Sequence, residues 1–411
     1  MKYTFYKTLI NFVLAITVLS GRVCSQAQSF TISVDRPVNG SFQLNPPLPA
    51  DGKYPSGTVI TITASPDAGY VLDAGYFSIP GRWGQMFTEF MTPQFKVTVD
   101  QDKHIGVSFI EKTVVAHINV TQNVVYATPG KKTLKYDVYS PKGANNLPCI
   151  IIIHGGGWAS NTEDIMRGLA RELTRDGKYV VFSIDYRWVQ KLDGDATGNT
   201  MANLIEDVYG AIAHIMEHAV EYGGDPSRIV LTGDSSGGHL SAAAANMPDK
   251  IGPGGFGKTA GVFEFIPVYL PKNKTIDQIR TEMMASIKAA APSYGVFGGN
   301  LLNHFSDDPA ATDAWKDAVA PISHIPNVKD RAVPQYLIRG INDFLIKDAD
   351  VKAYADALVK AGQKVEYVQV GGAGHAFFDW KPDERTKATF AQYGVYYAAE
   401  MKAFFNSVLY K

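Results

Sequence analysis

Three stretches of this sequence hold residue types, at spacings, that could carry out acyl transfer. Gly233-Asp234-Ser235-Ser236-Gly237-Gly238 contains Gly-x-Ser-x-Gly, preceded by the apolar run Ile229-Val230-Leu231 and followed by the small-residue stretch Leu240 to Ala245. Strand, sharp turn and helix in that order would hold a serine at strained backbone angles. The helix N-terminus would then aim N–H groups at the site. Ser235 is the candidate nucleophile. His154-Gly155-Gly156-Gly157-Trp158 directly follows the apolar run Cys149 to Ile153. Its glycines free the backbone to turn N–H groups into a cavity, so Gly156, Gly157 and the N–H of Ser236 are the candidate oxyanion hole. Gly371-Gly372-Ala373-Gly374-His375 closes the set with a base on a flexible loop.

A serine nucleophile needs a base, and the base needs a carboxylate to orient it. When the serine sits on such an elbow, acid and histidine follow it in the chain. Of nine histidines, only His304, His324 and His375 lie well downstream of Ser235. His304 lies in an irregular stretch and His324 precedes the late strand that should carry the acid, so His375 is the candidate base. Asp343, just after the strand-like Tyr336-Leu337-Ile338, is the candidate orienting acid. Asp348 and Asp350 read instead as first-turn helix carboxylates that complement the dipole. Trp158 and Trp380, next in sequence to the oxyanion and base loops, are the candidate substrate-binding aromatics.

The elements that must position these groups change character along the chain. From about 28 to 112, short alternating runs such as Val59 to Ala64, Phe95 to Val99 and Ile105 to Phe109 predict a small all-β module. From about 113 to 411, strand-like runs alternate with helical ones, which predicts a mostly parallel sheet flanked by helices. Leu204, Val208, Ala211, Ile212 and Ile215 fall at helical spacing, and Lys347 to Ala361 reads as a helix stopped at Gly362. The segment from about 271 to 312 reads as an insertion that interrupts this pattern, with Met283, Met284, Tyr294 and Phe297 available to a pocket wall.

The segment from about Leu134 to Lys411 resembles the α/β-hydrolase superfamily. It is most similar to the esterase branch with a His-Gly-Gly-Gly motif, which includes hormone-sensitive-lipase-like and feruloyl-esterase-like enzymes. His154 to Gly157, Ser235 in its elbow, Asp343 and Gly374-His375 match in order and rough spacing, and Asp185-Tyr186-Arg187 and Gly223-Gly224-Asp225-Pro226 also fit. The resemblance implies the α/β-hydrolase fold and an acyl-enzyme mechanism without a cofactor. After Arg187 this chain reads Trp188-Val189-Gln190-Lys191-Leu192-Asp193, where lipase-like members carry a proline-containing segment. Residues Tyr54 to Tyr70 resemble the internalin-type B-repeat, a β-rich module of exported bacterial proteins, although the tryptophan that often follows its Gly-Tyr pair is missing. The glycine-serine motif superficially matches trypsin-type enzymes too, but those are all-β and place His and Asp upstream of Ser.

Composition narrows the function further. The 411 residues include 39 basic and 40 acidic side chains, for a net charge of −1, and 45% are hydrophobic. No net field favours nucleic acid or an anionic membrane, and apolar material for a core is ample. Lys2 and Lys7, the apolar run Leu9 to Leu19 and the small residues Ser25-Gln26-Ala27 read as a secretory signal over 1–27, with a lipid anchor on Cys24 the weaker reading. That run is short for a membrane span. Cleavage there would leave Cys149 as a lone, strand-buried cysteine. No motif suggests a metal, nucleotide or covalent cofactor; His214 and His218 share a helix face but lack a third ligand. The expectation is an exported serine esterase for small or polymer-linked esters, such as acetyl or feruloyl groups on polysaccharide, with a cell-surface or polysaccharide contact open to the β module. A serine peptidase or lipase on the same fold, or an adhesion protein with a vestigial hydrolase fold, are the rival readings.

Overall fold

The computed structural model describes residues 28–81, 84–299 and 312–410. The signal read over 1–27, Cys24 and His304 lie outside them. The N-terminal region contains β1 (Ser29–Val34), β2 (Gly40–Asn45), β3 (Lys53–Pro55), β4 (Val59–Pro66), β5 (Tyr70–Gly81), β6 (Gly84–Phe90), β7 (Gln94–Thr98) and β8 (Lys103–Glu111). They form one sheet in the order β3-β1-β8-β5-β6 and a second in the order β2-β4-β7. Alternation explains β4: Ile60, Ile62 and Ala64 turn inward, onto Phe95 and Val97 of β7 and Ile105 and Phe109 of β8.

The second region is built on β9 (Ile118–Ala127), β10 (Leu134–Pro141), β11 (Leu147–Ile153), β12 (Val180–Ile184), β13 (Gly224–Asp234), β14 (Ile287–Ser293), β15 (Gln335–Gly340) and β16 (Val365–Val370). Their order is β16-β15-β14-β13-β11-β12-β10-β9. All pairings from β12 to β16 are parallel, and β9 and β10 are antiparallel additions at one edge. Residues Cys149 to Ile153 of β11 are buried on both faces, which is why the sequence there is apolar without alternation. Helix Arg167–Thr174 packs against helix Val395–Leu409, and helix Met201–His218 against helix Ser236–Asn246. This is the architecture that the α/β-hydrolase resemblance implies.

The expected insertion over 271–312 is corrected. Helix Ile276–Ser286 is followed directly by β14, which lies between β13 and β15 inside the sheet. Its alanines, Ala289 to Ala291, carry no strand signal of their own, because alanine has the highest helix propensity. Burial between two strands overrides that preference, and small side chains suit a strand that the elbow helix crosses closely: a Cβ on Gly238 would come within 2.7 Å of the Ser293 carbonyl oxygen. Met283, Tyr294 and Phe297 are core residues, and Phe297 stacks on Tyr354 at 4.0 Å.

Cys149 is a buried free thiol, and burial pushes it up to about 12. It is expected to resist alkylation by iodoacetamide at pH 8 in the folded protein and to react only after denaturation, as read by mass spectrometry.

Candidate active site

Ser235, at the junction of β13 and the helix Ser236–Asn246, has φ 53° and ψ −116°. This strained turn lifts Oγ off the end of the sheet, while its N–H is held by the Ser293 carbonyl at 3.0 Å. Tightness makes glycine necessary at 237, where a Cβ would collide with the Ile153 carbonyl oxygen. His375, on the loop after β16, places Nε2 2.9 Å from Ser235 Oγ and Nδ1 2.8 Å from Asp343 Oδ2. Asp343 Oδ1 accepts the N–H groups of Leu345 and Ile346, each at 2.9 Å, so both carboxylate oxygens are engaged. Burial alone would raise its pKa, but the bond to His375 and those N–H groups override it and hold Asp343 below the usual value. The alternatives are placed elsewhere: Asp348 bonds Tyr367 and Gln369, and His324 bonds the Asp317 carbonyl.

The glycine-rich loop follows β11. The N–H of Gly155 donates to Asp234 Oδ1 at 2.7 Å, so that residue anchors the loop. Gly156 has φ 127° and Gly157 φ 62°, and a Cβ on Gly156 would strike the Ser160 carbonyl oxygen. Gly156, Gly157 and the first helical residue, Ser236, are thus the loop and elbow positions available to an oxyanion. Ser235, His375, Asp343 and the candidate N–H donors together make an arrangement able to carry acyl transfer.

A model of the BD-FAE family matches residues 136–358, more than half of the chain. The chain belongs to the BD-FAE family. Among curated proteins it is similar to carboxylic ester hydrolase LipN of Mycobacterium tuberculosis, 28% identical over 274 residues that cover 64% of this chain and 65% of LipN. Carboxylesterase NlhH of the same organism is 35% identical over 114 residues, 28% of this chain and 34% of NlhH. The chain therefore spans about a third to two thirds of the length of these relatives. Among solved structures it is similar to Thermogutta terrifontis esterase 2 phosphoramylated by tabun, at 24% identity and TM-score 0.53 over 72% of this chain and 97% of that one. A truncated form of a carbohydrate esterase from gut microbiota follows, at 22% identity and TM-score 0.52 over 71% and 97%. These likenesses establish the α/β-hydrolase fold.

In this BD-FAE chain the two aromatic substrate contacts read from sequence are corrected. Trp158 is 1% exposed, and its indole N–H donates to His239 Nδ1 at 3.1 Å, beneath the glycine loop. His239 Nε2 faces the Val319 carbonyl at 2.8 Å, and burial pushes this histidine down to about 4. Trp380 is committed elsewhere: it donates its indole N–H to Asp73 of β5 at 2.9 Å. Adjacency in sequence to a catalytic loop does not fix which way a side chain points.

Other supports were missed. The Tyr186 hydroxyl bonds both the His154 carbonyl at 2.9 Å and Ser236 Oγ at 3.2 Å, and its ring stacks on His154 at 4.2 Å. His154 in turn meets Asp185 at 3.1 Å, and Lys132 meets Asp185 at 2.8 Å. Asp234, inside the elbow motif itself, shares a hydrogen bond with Asp379, four residues beyond His375. Burial, chiefly, and for Asp234 the charge of its partner, raise both carboxyls above the usual range. The bond between them joins the glycine loop, the elbow and the base loop. A raised carboxyl pKa stabilises the fold at low pH and loses that contribution as pH rises from the unfolded value toward the folded one. Asp379→Asn supplies a permanent donor to Asp234. It is expected to keep kcat within about threefold and to flatten the decline of unfolding free energy above pH ~4, measured by urea denaturation.

Two further features lie apart from the triad. His214 bonds the Tyr136 hydroxyl and His218 bonds Glu221, so the helix-face pair is engaged within the fold. Asp137, Glu163 and Asp164 bring carboxylate oxygens within 4.8 Å of one another, and Lys135 Nζ sits 2.8 Å from Glu163.

Proposed function

We propose that the protein is an exported serine esterase that hydrolyses carboxylic esters, with acyl groups on polysaccharide as the natural substrate class. The relay Ser235–His375–Asp343, at 2.9 and 2.8 Å, carries this reading. Ser235 Oγ attacks the ester carbonyl carbon as its proton passes to His375 Nε2. The negative oxygen that forms is met by the N–H groups of Gly156, Gly157 and Ser236. Collapse breaks the bond to the alcohol oxygen, which takes the proton from His375 and leaves. Water then attacks the acyl-serine, giving its proton to His375, and collapse returns that proton to Ser235 and releases the acid. Asp343 holds the imidazole in one orientation and stabilises its positive form.

Support for the ester class comes from the family and from LipN and NlhH, both named ester hydrolases. The polysaccharide and export parts rest on the sequence reading of residues 1–112. A panel of p-nitrophenyl acetate, longer aliphatic esters, feruloylated sugars and acetylated xylan tests both levels. Release from acetylated or feruloylated carbohydrate at a kcat/KM above that of the aliphatic esters is expected. Release no faster than the buffer rate from every ester overturns the esterase reading, and a preference for long aliphatic chains overturns the carbohydrate one.

A further inference from the structure

β5 and β8 pair in antiparallel register, except that Leu72 faces Phe109 and Ala74 faces Ser108. Asp73 is the extra residue of this bulge. A bulge re-aims a side chain, and here it points a carboxylate out of the β region and into the hydrolase region. Asp73 is 3% exposed. Its oxygens meet Arg167 Nε at 3.1 Å, Arg167 Nη2 at 3.3 Å, Arg171 Nη2 at 2.8 Å and the Trp380 indole nitrogen at 2.9 Å. Ser108 Oγ completes the shell at 3.3 Å. Arg167 also meets Glu89 of β6 at 2.7 Å.

Trp380 is half-buried and held by several neighbours. Arg171 lies over its ring at 5.9 Å, Phe390 meets it edge-on at 5.3 Å, and a Cβ on Gly168 would come within 2.8 Å of it. Its backbone N–H donates to the Ile165 carbonyl at 2.8 Å. Between His375 and Trp380 the chain is just as tied. The Phe378 N–H bonds the Tyr294 hydroxyl at 3.2 Å, the Tyr294 ring meets His375 edge-on at 4.9 Å, and Asp379 bonds Asp234. Upstream, the loop is held by Asn342, which bonds Gly372 and Ala373. The five-residue step from base to anchor has no slack, and its far end is fixed by a residue of the β region.

We propose that Asp73 is a positioning residue for the esterase reaction: through the Trp380 indole it fixes the loop that carries His375, so the β region is a working part of the catalytic unit rather than a spacer. This rests on the esterase reading above. Catalysis is sensitive to displacements of about 1 Å in a catalytic group, even when the altered residue is remote.

The test uses the full chain and p-nitrophenyl acetate, with rates divided by sites titrated to completion with a fluorophosphonate. Trp380→Phe keeps an aromatic ring, removes the indole N–H and leaves Asp73 with both guanidiniums. It is expected to lower kcat about five- to tenfold with KM within about twofold. Asp73→Asn is expected to do the same, and the double variant to fall no further than the worse single one. Lys387→Met removes another contact across the same boundary, to Ser108 at 2.6 Å, while Ser108 still donates its own hydroxyl to Asp73 and Trp380 is untouched, and is expected to leave kcat unchanged. Wild-type kcat per titrated site in Trp380→Phe overturns the proposal. So does a double variant whose loss is the product of the singles, or an equal loss in Lys387→Met. If Asp73→Asn does not fold, Trp380→Phe decides alone. A wild-type protein without ester hydrolysis would instead sink the esterase reading itself.

Discussion

Ser235→Ala is expected to lower kcat for ester hydrolysis by about 10⁶-fold while leaving the fold intact. The change removes one oxygen. The backbone bond from Ser235 to the Ser293 carbonyl stays, and alanine accepts the positive φ at a cost similar to that of serine. What remains is the oxyanion loop and binding, worth about 10³ to 10⁴ over water. Ser236 is no substitute nucleophile, because its hydroxyl is bonded to Tyr186 and lies on the helix side of the turn. Steady-state rates with p-nitrophenyl acetate, together with the thermal midpoint of both proteins, check this. A variant that keeps more than ~1% of the wild-type rate would point to another nucleophile.

Asp343→Asn is expected to cost about 10⁴-fold in kcat with little change in stability or KM. The carboxylate has two distinct jobs. Oδ1 takes the N–H groups of Leu345 and Ile346, and Oδ2 takes His375 Nδ1. Asparagine can keep only one of these arrangements at a time. Its single oxygen satisfies the two loop N–H groups, which turns its NH₂ toward His375. Nδ1 must then accept rather than donate, and Nε2 carries the proton and can no longer take one from Ser235. The loop is preserved and the base is lost. Asp343→Ala, by contrast, should also lower the thermal midpoint, since it frees the two N–H groups. Comparing the two variants separates orientation of the imidazole from support of the loop.

That Ser235, His375 and Asp343 would meet was legible because chain order and local context restrict them. One serine stands between a strand and a helix with the right glycines, and of the three downstream histidines only His375 lies on a loop beyond a late strand. The sheet was legible where burial on both faces removes alternation, as in Cys149 to Ile153. It was not legible at Ala289 to Ala291, where local propensity favours a helix and only the neighbouring strands decide otherwise. Trp158 and Trp380 misled for a related reason. Each partner, His239 or Asp73, lies tens to hundreds of residues away. The Asp234–Asp379 pair had a faint signal, one aspartate inside the elbow motif and one just past the base, but two carboxyls that bond each other look like repulsion in a linear sequence.

The bulge in β5 also bears on the order in which the chain can assemble. Asp73 is synthesised 94 residues before Arg167 and 307 before Trp380. The N-terminal strands can form their hydrogen-bonded ladders as soon as they emerge, yet this carboxylate must stay hydrated until partners from far downstream arrive. The earlier-made β region therefore carries an unfinished seam, closed only after β16 and the segment beyond it are in place. Docking then acts as a late checkpoint, in which completion of the C-terminal half dehydrates a charge in the N-terminal half.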